Sequence, residues 1–149
     1  MIICPNDECD KLIPYIPKSA FLIISYPKKN EKGYKEITEI EKMIEIILEK
    51  NDFSLEIAKK KLSPRSMLCK ICEYIQATSF SIVIYTSGTP NRSIPKIFYE
   101  IGIAQAFGKS VYLINDEHTK RPSDLIGLEW VTIEKISDLD QKFVDINKE

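Results

Sequence analysis

Glu100 stands in the run Ile97-Phe-Tyr-Glu-Ile-Gly-Ile-Ala104, a carboxylate among apolar neighbours at helical spacing. Taking such a charge out of water is costly unless it has a partner or a task. Two readings follow. Lys96, at i−4, offers an ordinary helix ion pair, in the order that stabilises a helix less; alternatively, the carboxylate faces a ligand. Upstream, Ser87-Gly88-Thr89 is an ordinary turn sequence when taken alone. Four cysteines form a second group: Cys4 and Cys9 have four residues between them, and Cys69 and Cys72 have two. That spacing suits a tetrahedral thiolate zinc site joining an N-terminal arm to a helix. Disulfides, or reduced thiols with Cys72 on an apolar stripe, are the alternatives. The Cys-x-x-Cys stands well after the first expected strand rather than at its tip, which argues against a redox motif. His118, the single histidine, lies in the polar run Asn115-Asp-Glu-His-Thr-Lys120 and reads as a solvated side chain.

The elements that must position these residues alternate in type. Ala20 to Ser25 is an apolar run too short for a helix, as expected of a strand buried on both faces. Ile37, Ile40, Met43, Ile44 and Ile47, with charges between them, predict an amphipathic helix ending near Lys50-Asn51. A short strand is expected over Phe53–Ala58, a Lys-rich loop to Pro64, and a helix from Ser66 to Ala77. The strand Ser81–Tyr85 then leads through the Ser87-Gly88-Thr89 loop to the helix of Glu100. Ser93 is expected to cap that helix, Pro95 suits its first turn, and Gly108 supplies a left-handed exit. Its apolar residues cover most of the circumference, which predicts extensive burial. Strands at Val111–Ile114 and Trp130–Ile133 and a terminal helix from Ser137 to Ile146 complete the pattern. This is an α/β chain: one doubly wound parallel sheet of about five strands in flavodoxin-like order, with helices on both faces. A right-handed βαβ unit leaves the Ser87-Gly88-Thr89 loop at the carboxyl edge of that sheet, where open α/β sheets bind ligands.

At 149 residues the chain reads as an N-terminal Cys-containing arm over 1–18 and one domain over 19–149. Lysine plus arginine total 21 against 22 for aspartate plus glutamate, so no basic field draws in nucleic acid or an anionic membrane. No apolar run reaches membrane-spanning length, and the first residues lack the basic start and apolar core of a signal peptide. A cytoplasmic location is the expectation.

The segment from Ile82 to Ile114, with its Phe-Tyr-Glu-Ile-Gly-Ile-Ala-Gln-Ala-Phe-Gly-Lys core, resembles the superfamily that joins nucleoside 2-deoxyribosyltransferases, TIR domains and TIR-like nucleotide-binding proteins. Ser25-Tyr-Pro27 is similar to the family's first-strand exit, Leu68-Cys-Lys-Ile-Cys-Glu-Tyr-Ile-Gln76 to the helix before the central strand, and Pro122-Ser-Asp-Leu-Ile-Gly-Leu-Glu-Trp-Val131 to a late Asp-Leu-x-Gly segment. The resemblance implies hydrolysis or transfer at an N-glycosidic bond, with Glu100 as the catalytic carboxylate beside the ribosyl carbon. It also implies a nucleoside, nucleotide or NAD as the small-molecule partner. The Ser87-Gly88-Thr89 loop is similar to the Ser-Gly-Thr of the transferases, where a sugar or phosphate approaches the backbone. The ligand-binding set it implies is Ser25, Tyr26, Pro27, Thr86, Ser87, Gly88, Thr89, Tyr99 and Asp124, with Tyr26, Tyr85 and Tyr99 available to stack on a base. The chain differs from many relatives at Thr86, where they place Asp, and at Ile94-Pro95-Lys96, where they place Asn-Pro-Asn. Asp124 and Glu56 are the substitute acids. A nucleotide-binding sensor or assembly module without catalysis is the alternative function. No cofactor is expected for catalysis. Relatives also pair a Cys-containing N-terminus with a Cys-Lys-Ile-Cys helix, in keeping with structural zinc at Cys4, Cys9, Cys69 and Cys72, and sites built across dimers make a homo-oligomer the expectation.

Overall fold

A computed structural model describes residues 13–58, 67–125 and 128–133, the side chains of 67, 68, 124 and 133 excepted. Five strands, β1 (Ser19–Ile23), β2 (Ser54–Glu56), β3 (Phe80–Ile84), β4 (Val111–Asp116) and β5 (Glu129–Ile133), form one sheet. Every neighbouring pair is parallel and the order is β2-β1-β3-β4-β5. The helices are α1 (Tyr34–Lys50), α2 (Met67–Ala77) and α3 (Ile94–Ala106). The fold is therefore the expected doubly wound α/β sheet in flavodoxin-like order, with strand limits shifted by one or two residues. The expected terminal helix over 137–146 lies outside the described residues. Among the described residues no helix is long and apolar enough to cross a membrane.

Strand alternation sends side chains to two cores. Ala20 and Leu22 of β1 and Ile82 and Ile84 of β3 meet Ile37, Ile40, Ile44, Ile47 and Leu48 of α1 on one face. Phe21, Ile23, Val83 and Leu113 meet Ile71 and Ile75 of α2 and Ile97, Ile101 and Ala104 of α3 on the other. Because both faces are covered, the central strands need apolar residues at every position, which is why β1 read as an unbroken apolar run. Fully buried Ile101 adjoins Glu100, and its truncation to alanine would remove about 2–5 kcal/mol of packing. The register of α3 on the sheet is thus held by bulk, not by the carboxylate.

Two expectations about α3 are corrected. Ser93 makes no capping hydrogen bond from its side chain; its hydroxyl accepts one from Ser25 Oγ at 2.6 Å instead. The helix is also buried along one face only, for it lies flat on the sheet and leaves Tyr99 51% exposed. Its exit matches expectation. Gly108, at φ 68°, donates its N–H to Gln105 O, and Lys109 N–H returns to Ala104 O. These two bonds satisfy the last carbonyls of the helix.

The order β2-β1-β3 reverses the direction of winding between β1 and β3, and α1 and α3 leave their strands to opposite faces. Here the loops after β1 and β3 touch. A Cβ added to Gly88 would stand 2.8 Å from Gly33 Cα, and one added to Gly33, itself at φ 96°, would stand 2.7 Å from Gly88 Cα. The glycine in Ser87-Gly88-Thr89 thus has a packing reason of its own. Arg92 spans the same gap, donating to both carboxylate oxygens of Glu31 at 2.8 and 2.9 Å. Because the atom met at Gly88 is backbone and cannot rotate away, Gly88→Ala is expected to destabilise the fold by about 1–3 kcal/mol, read as a lower urea midpoint at unchanged slope. An unchanged midpoint would show that the two loops are free to separate.

Candidate functional site

Glu100 reaches a cavity of about 240 Å³ on the face of the sheet that α2 and α3 cover. Phe21, Leu22, Ile24, Ser25 and Tyr26 line it from β1 and its exit, Ile57 and Ala58 from the segment after β2, Ile71 from α2, and Lys96 and Glu100 from α3. The walls are mainly apolar, and the polar groups converge from two elements. This is the common composition of a small-molecule site, at a volume just under the usual range of about 300–1,000 Å³.

The electrostatics centre on one group. The Glu100 side chain is 5% exposed, and Lys96 Nζ stands 3.8 Å from its Oε1. Glu100 is thus ion-paired one turn back along the helix, as the first sequence reading has it, and it also faces a cavity. Burial pushes its carboxyl up to about 7, against the opposing charge of Lys96. A carboxyl balanced between its two protonation states in a cavity is suited to nucleophilic, acid–base or charge-stabilising work.

Tyr26 and Ser25 bring the β1 exit to the same cavity. Tyr26 donates its hydroxyl to Glu41 of α1 at 2.5 Å. Burial first, and then Glu41, push its phenol well above the ordinary range, so Tyr26 lines the cavity as a neutral aromatic group. Ser25 is tied through its hydroxyl to Ser93, which fixes the β1 exit against the start of α3.

Of the residues singled out in the sequence, Ser25, Tyr26, Lys96 and Glu100 share this cavity, and the other described ones do not line it. Pro27 is buried beside them. Thr86 is buried within its own turn, its hydroxyl accepting from Gly88 N–H at 3.2 Å while its N–H donates to Thr89 Oγ1 at 3.0 Å. Tyr85 packs edge-to-face on Phe98 and Trp130 in the core, whereas Tyr99 faces solvent. Asp124 falls in a short 3-10 turn over Ser123–Leu125, and Glu56 at the end of β2 is half-buried away from the cavity lining. His118 is exposed, as expected. Cys69 and Cys72 are buried one turn apart on α2; Cys4 and Cys9 lie outside the described residues. Among the described residues no group of three or more His, Cys, Asp or Glu side chains is placed to hold a metal ion.

Two acids escaped the sequence reading. Asp116, the last residue of β4, accepts Ser87 N–H at 3.1 Å, the Ser87 hydroxyl, and the Thr119 hydroxyl at 2.5 Å. Burial works against its charge, but these bonds, with those from the Ser87 and His118 backbone, leave its carboxyl below the ordinary range. Glu36, in the first turn of α1, is raised by burial and by the nearby charges of Asp116 and Glu39. The signal for Asp116 was its place at the carboxyl end of a parallel strand, where α/β sheets gather ligand-facing groups.

No family model and no curated protein matches this sequence. Solved structures do. The CMP N-glycosidase of Clostridium botulinum superimposes with a TM-score of 0.64 at 18% identity, covering 87% of this chain and 99% of that one. The chain has the nucleoside deoxyribosyltransferase fold. A second structure, the 2-deoxyribosyltransferase of the psychrotolerant Bacillus psychrosaccharolyticus, superimposes with a TM-score of 0.59 at 15% identity over 82% of this chain and 90% of that one. Within the deoxyribosyltransferase fold, this chain seats the only carboxylate that lines this cavity, among the described residues, on the helix after the central strand.

The raised carboxyl of Glu100 has a consequence for stability. The folded chain holds that proton more tightly than the unfolded chain, whose value is near 4.5, so the contribution of Glu100 to folding is greatest below pH 4.5 and is lost as pH rises through about 7. Glu100→Gln, neutral and of the same shape, should match the wild type near pH 4. Above pH 7 it should exceed it by roughly 3 kcal/mol, as measured by urea unfolding across pH. Parallel curves for the two proteins would mean that Glu100 ionises without cost.

Proposed function

We propose that the chain breaks, or exchanges the base across, the N-glycosidic bond of a nucleoside or nucleotide, with Glu100 as the reacting carboxylate. The observation that carries this reading is the buried Glu100 carboxylate in a cavity whose other walls are two aromatic rings, apolar side chains, Ser25 and Lys96. The fold shared with an enzyme named for CMP N-glycosidase activity and another named as a 2-deoxyribosyltransferase supports the class of bond.

The chemistry follows from the charge. Cleavage of an N-glycosidic bond passes through an oxocarbenium-like transition state, and a carboxylate at the anomeric carbon offsets the positive charge that develops there. In the proposed course, Glu100 attacks that carbon, the carbon–nitrogen bond breaks, and the base leaves with the bonding pair and takes up a proton from solvent. Water, or a second base, then attacks the same carbon and restores the carboxylate. Tyr26 supplies a neutral aromatic face for the sugar or base, and Ser25 a hydroxyl at the edge of the cavity.

A second reading, a nucleotide-binding module without catalysis, is favoured by Thr86. It occupies the position of the acid in many relatives, and its hydroxyl is taken up inside its own turn. One assay separates the two readings: wild type and Glu100→Ala are incubated with nucleosides, nucleoside monophosphates and NAD, and free base is followed. The wild type should release base, with kcat/KM rising with pH to a plateau about a midpoint near 7, because only the ionised carboxylate reacts. Glu100→Ala should fall by about a hundredfold or more. Equal background release by both proteins would reject the enzyme, and saturable calorimetric binding in the same preparation would establish the module.

We also propose structural zinc at Cys4, Cys9, Cys69 and Cys72, supported by the burial and one-turn spacing of the α2 pair. Freshly reduced protein should carry about one zinc per chain and the Cys69→Ser, Cys72→Ser variant none. Metal-free wild type would reject the site.

A further inference from the structure

Lys96 sits where an ion pair does least for a helix. In the first turn of α3 its positive charge opposes the helix dipole, and a lysine preceding a glutamate at i+4 is the weaker of the two orders. Packing does not account for it, since its side chain is 56% exposed at the mouth of the cavity. What it does meet is Glu100. Among the described residues, Lys96 is the only group that favours the ionised form of that carboxyl; the remaining influence is burial, which opposes it.

We infer that Lys96 is a positioning residue that keeps the Glu100 carboxylate charged and aimed into the cavity, through its 3.8 Å approach to Oε1. Among the described residues, the elements packed around Glu100 offer no substitute. β1 and its exit contribute Tyr26, which is neutral, with Ser25 and apolar groups; Ile57, Ala58 and Ile71 complete the lining without charge. The pair is also asymmetric. Glu100 is anchored between buried Ile97, Ile101 and Ala104, while the ammonium reaches it from the solvent side on a flexible stem. The lysine is therefore the partner that can move aside as positive charge builds on a bound sugar, leaving Oε1 to face that charge. A fixed partner, such as a buried arginine, would compete with the transition state instead.

The role in positioning rests on the proposed reaction at Glu100, but the effect on ionisation does not, and the experiment separates them. Glutamate side chains are labelled with carbon-13 and the Glu100 carboxyl, assigned by its absence in Glu100→Gln, is titrated in wild type, Lys96→Met, Lys96→Gln and Lys96→Arg. The midpoint should rise by about one pH unit in Lys96→Met and Lys96→Gln, a tenfold loss of carboxylate below the midpoint, and return to the wild-type value in Lys96→Arg. In the base-release assay the rising limb of the pH profile should move by the same interval. A Glu100 midpoint in both neutral variants within about 0.3 units of wild type overturns the inference, whatever the activity. The expected midpoint shift in a protein that releases no base would uphold the pair while rejecting the reaction. Because Lys96 is half exposed, two neutral variants guard against a local misfit in either one.

Discussion

The site depends on a contest between desolvation and one opposite charge. α3 buries Glu100 because the residues on either side of it, Ile97, Ile101 and Ala104, must cover Val83 and Leu113 on the sheet. The carboxylate is carried inward by their register. Burial then drives it toward the neutral form, and Lys96 draws it back, leaving the group near 7. Neither influence alone would give a useful carboxyl. Full desolvation would leave a permanent acid, and a fully solvated pair would leave a surface ion pair worth a fraction of a kcal/mol.

The second constraint is backbone proximity at the reversal of winding. Gly33 and Gly88 allow the loops after β1 and β3 to touch, and that contact brings the β1 exit, with Ser25 and Tyr26, to the start of the helix that carries Glu100. The Ser25–Ser93 hydrogen bond and the Arg92–Glu31 pair fasten the same two loops at other points. Arg92 and the backbone N–H of Lys28 hold the Glu31 carboxyl down at about 2, so its charge persists through any ordinary pH. An exposed pair of this kind contributes little to global stability. Its value lies in geometry, since it closes the gap over the edge of the sheet beside the cavity.

The sequence displayed the fold more fully than the site, for physical reasons. Apolar runs such as Ala20–Ile24 and the helical spacing of Ile37, Ile40, Ile44 and Ile47 are repeated signals, and strand–helix alternation leaves few topologies. The site rests on single residues. Glu100 was visible because a carboxylate in an apolar helix is an anomaly. Tyr99 was misplaced because periodicity counts apolar residues around a helix and cannot show which side meets the sheet. Gly88 was read for ligand access when its neighbour across the winding reversal, 55 positions away in the chain, already required it. Asp116 went unseen because its meaning comes from Ser87, on a neighbouring strand's loop. Contacts between distant segments leave no local pattern.

Asp116 also bears on the kind of chemistry the cavity supports. An acid stands at the carboxyl edge after all, but it comes from β4 and is committed to Ser87 and Thr119, and it does not line the cavity with Glu100. Direct displacement by water and double displacement both commonly use a pair of carboxyl groups, and they differ in whether one of them activates a water or attacks the sugar itself. Among the described residues the cavity offers one. On the proposed reading that one carboxylate attacks the sugar, which makes the course a double displacement, in which the same group first takes the sugar and then yields it. Such a course leaves the acceptor to be chosen by what enters after the base departs. Hydrolysis and base exchange then become outcomes of one site, distinguished by whether water or a second base reaches the sugar first.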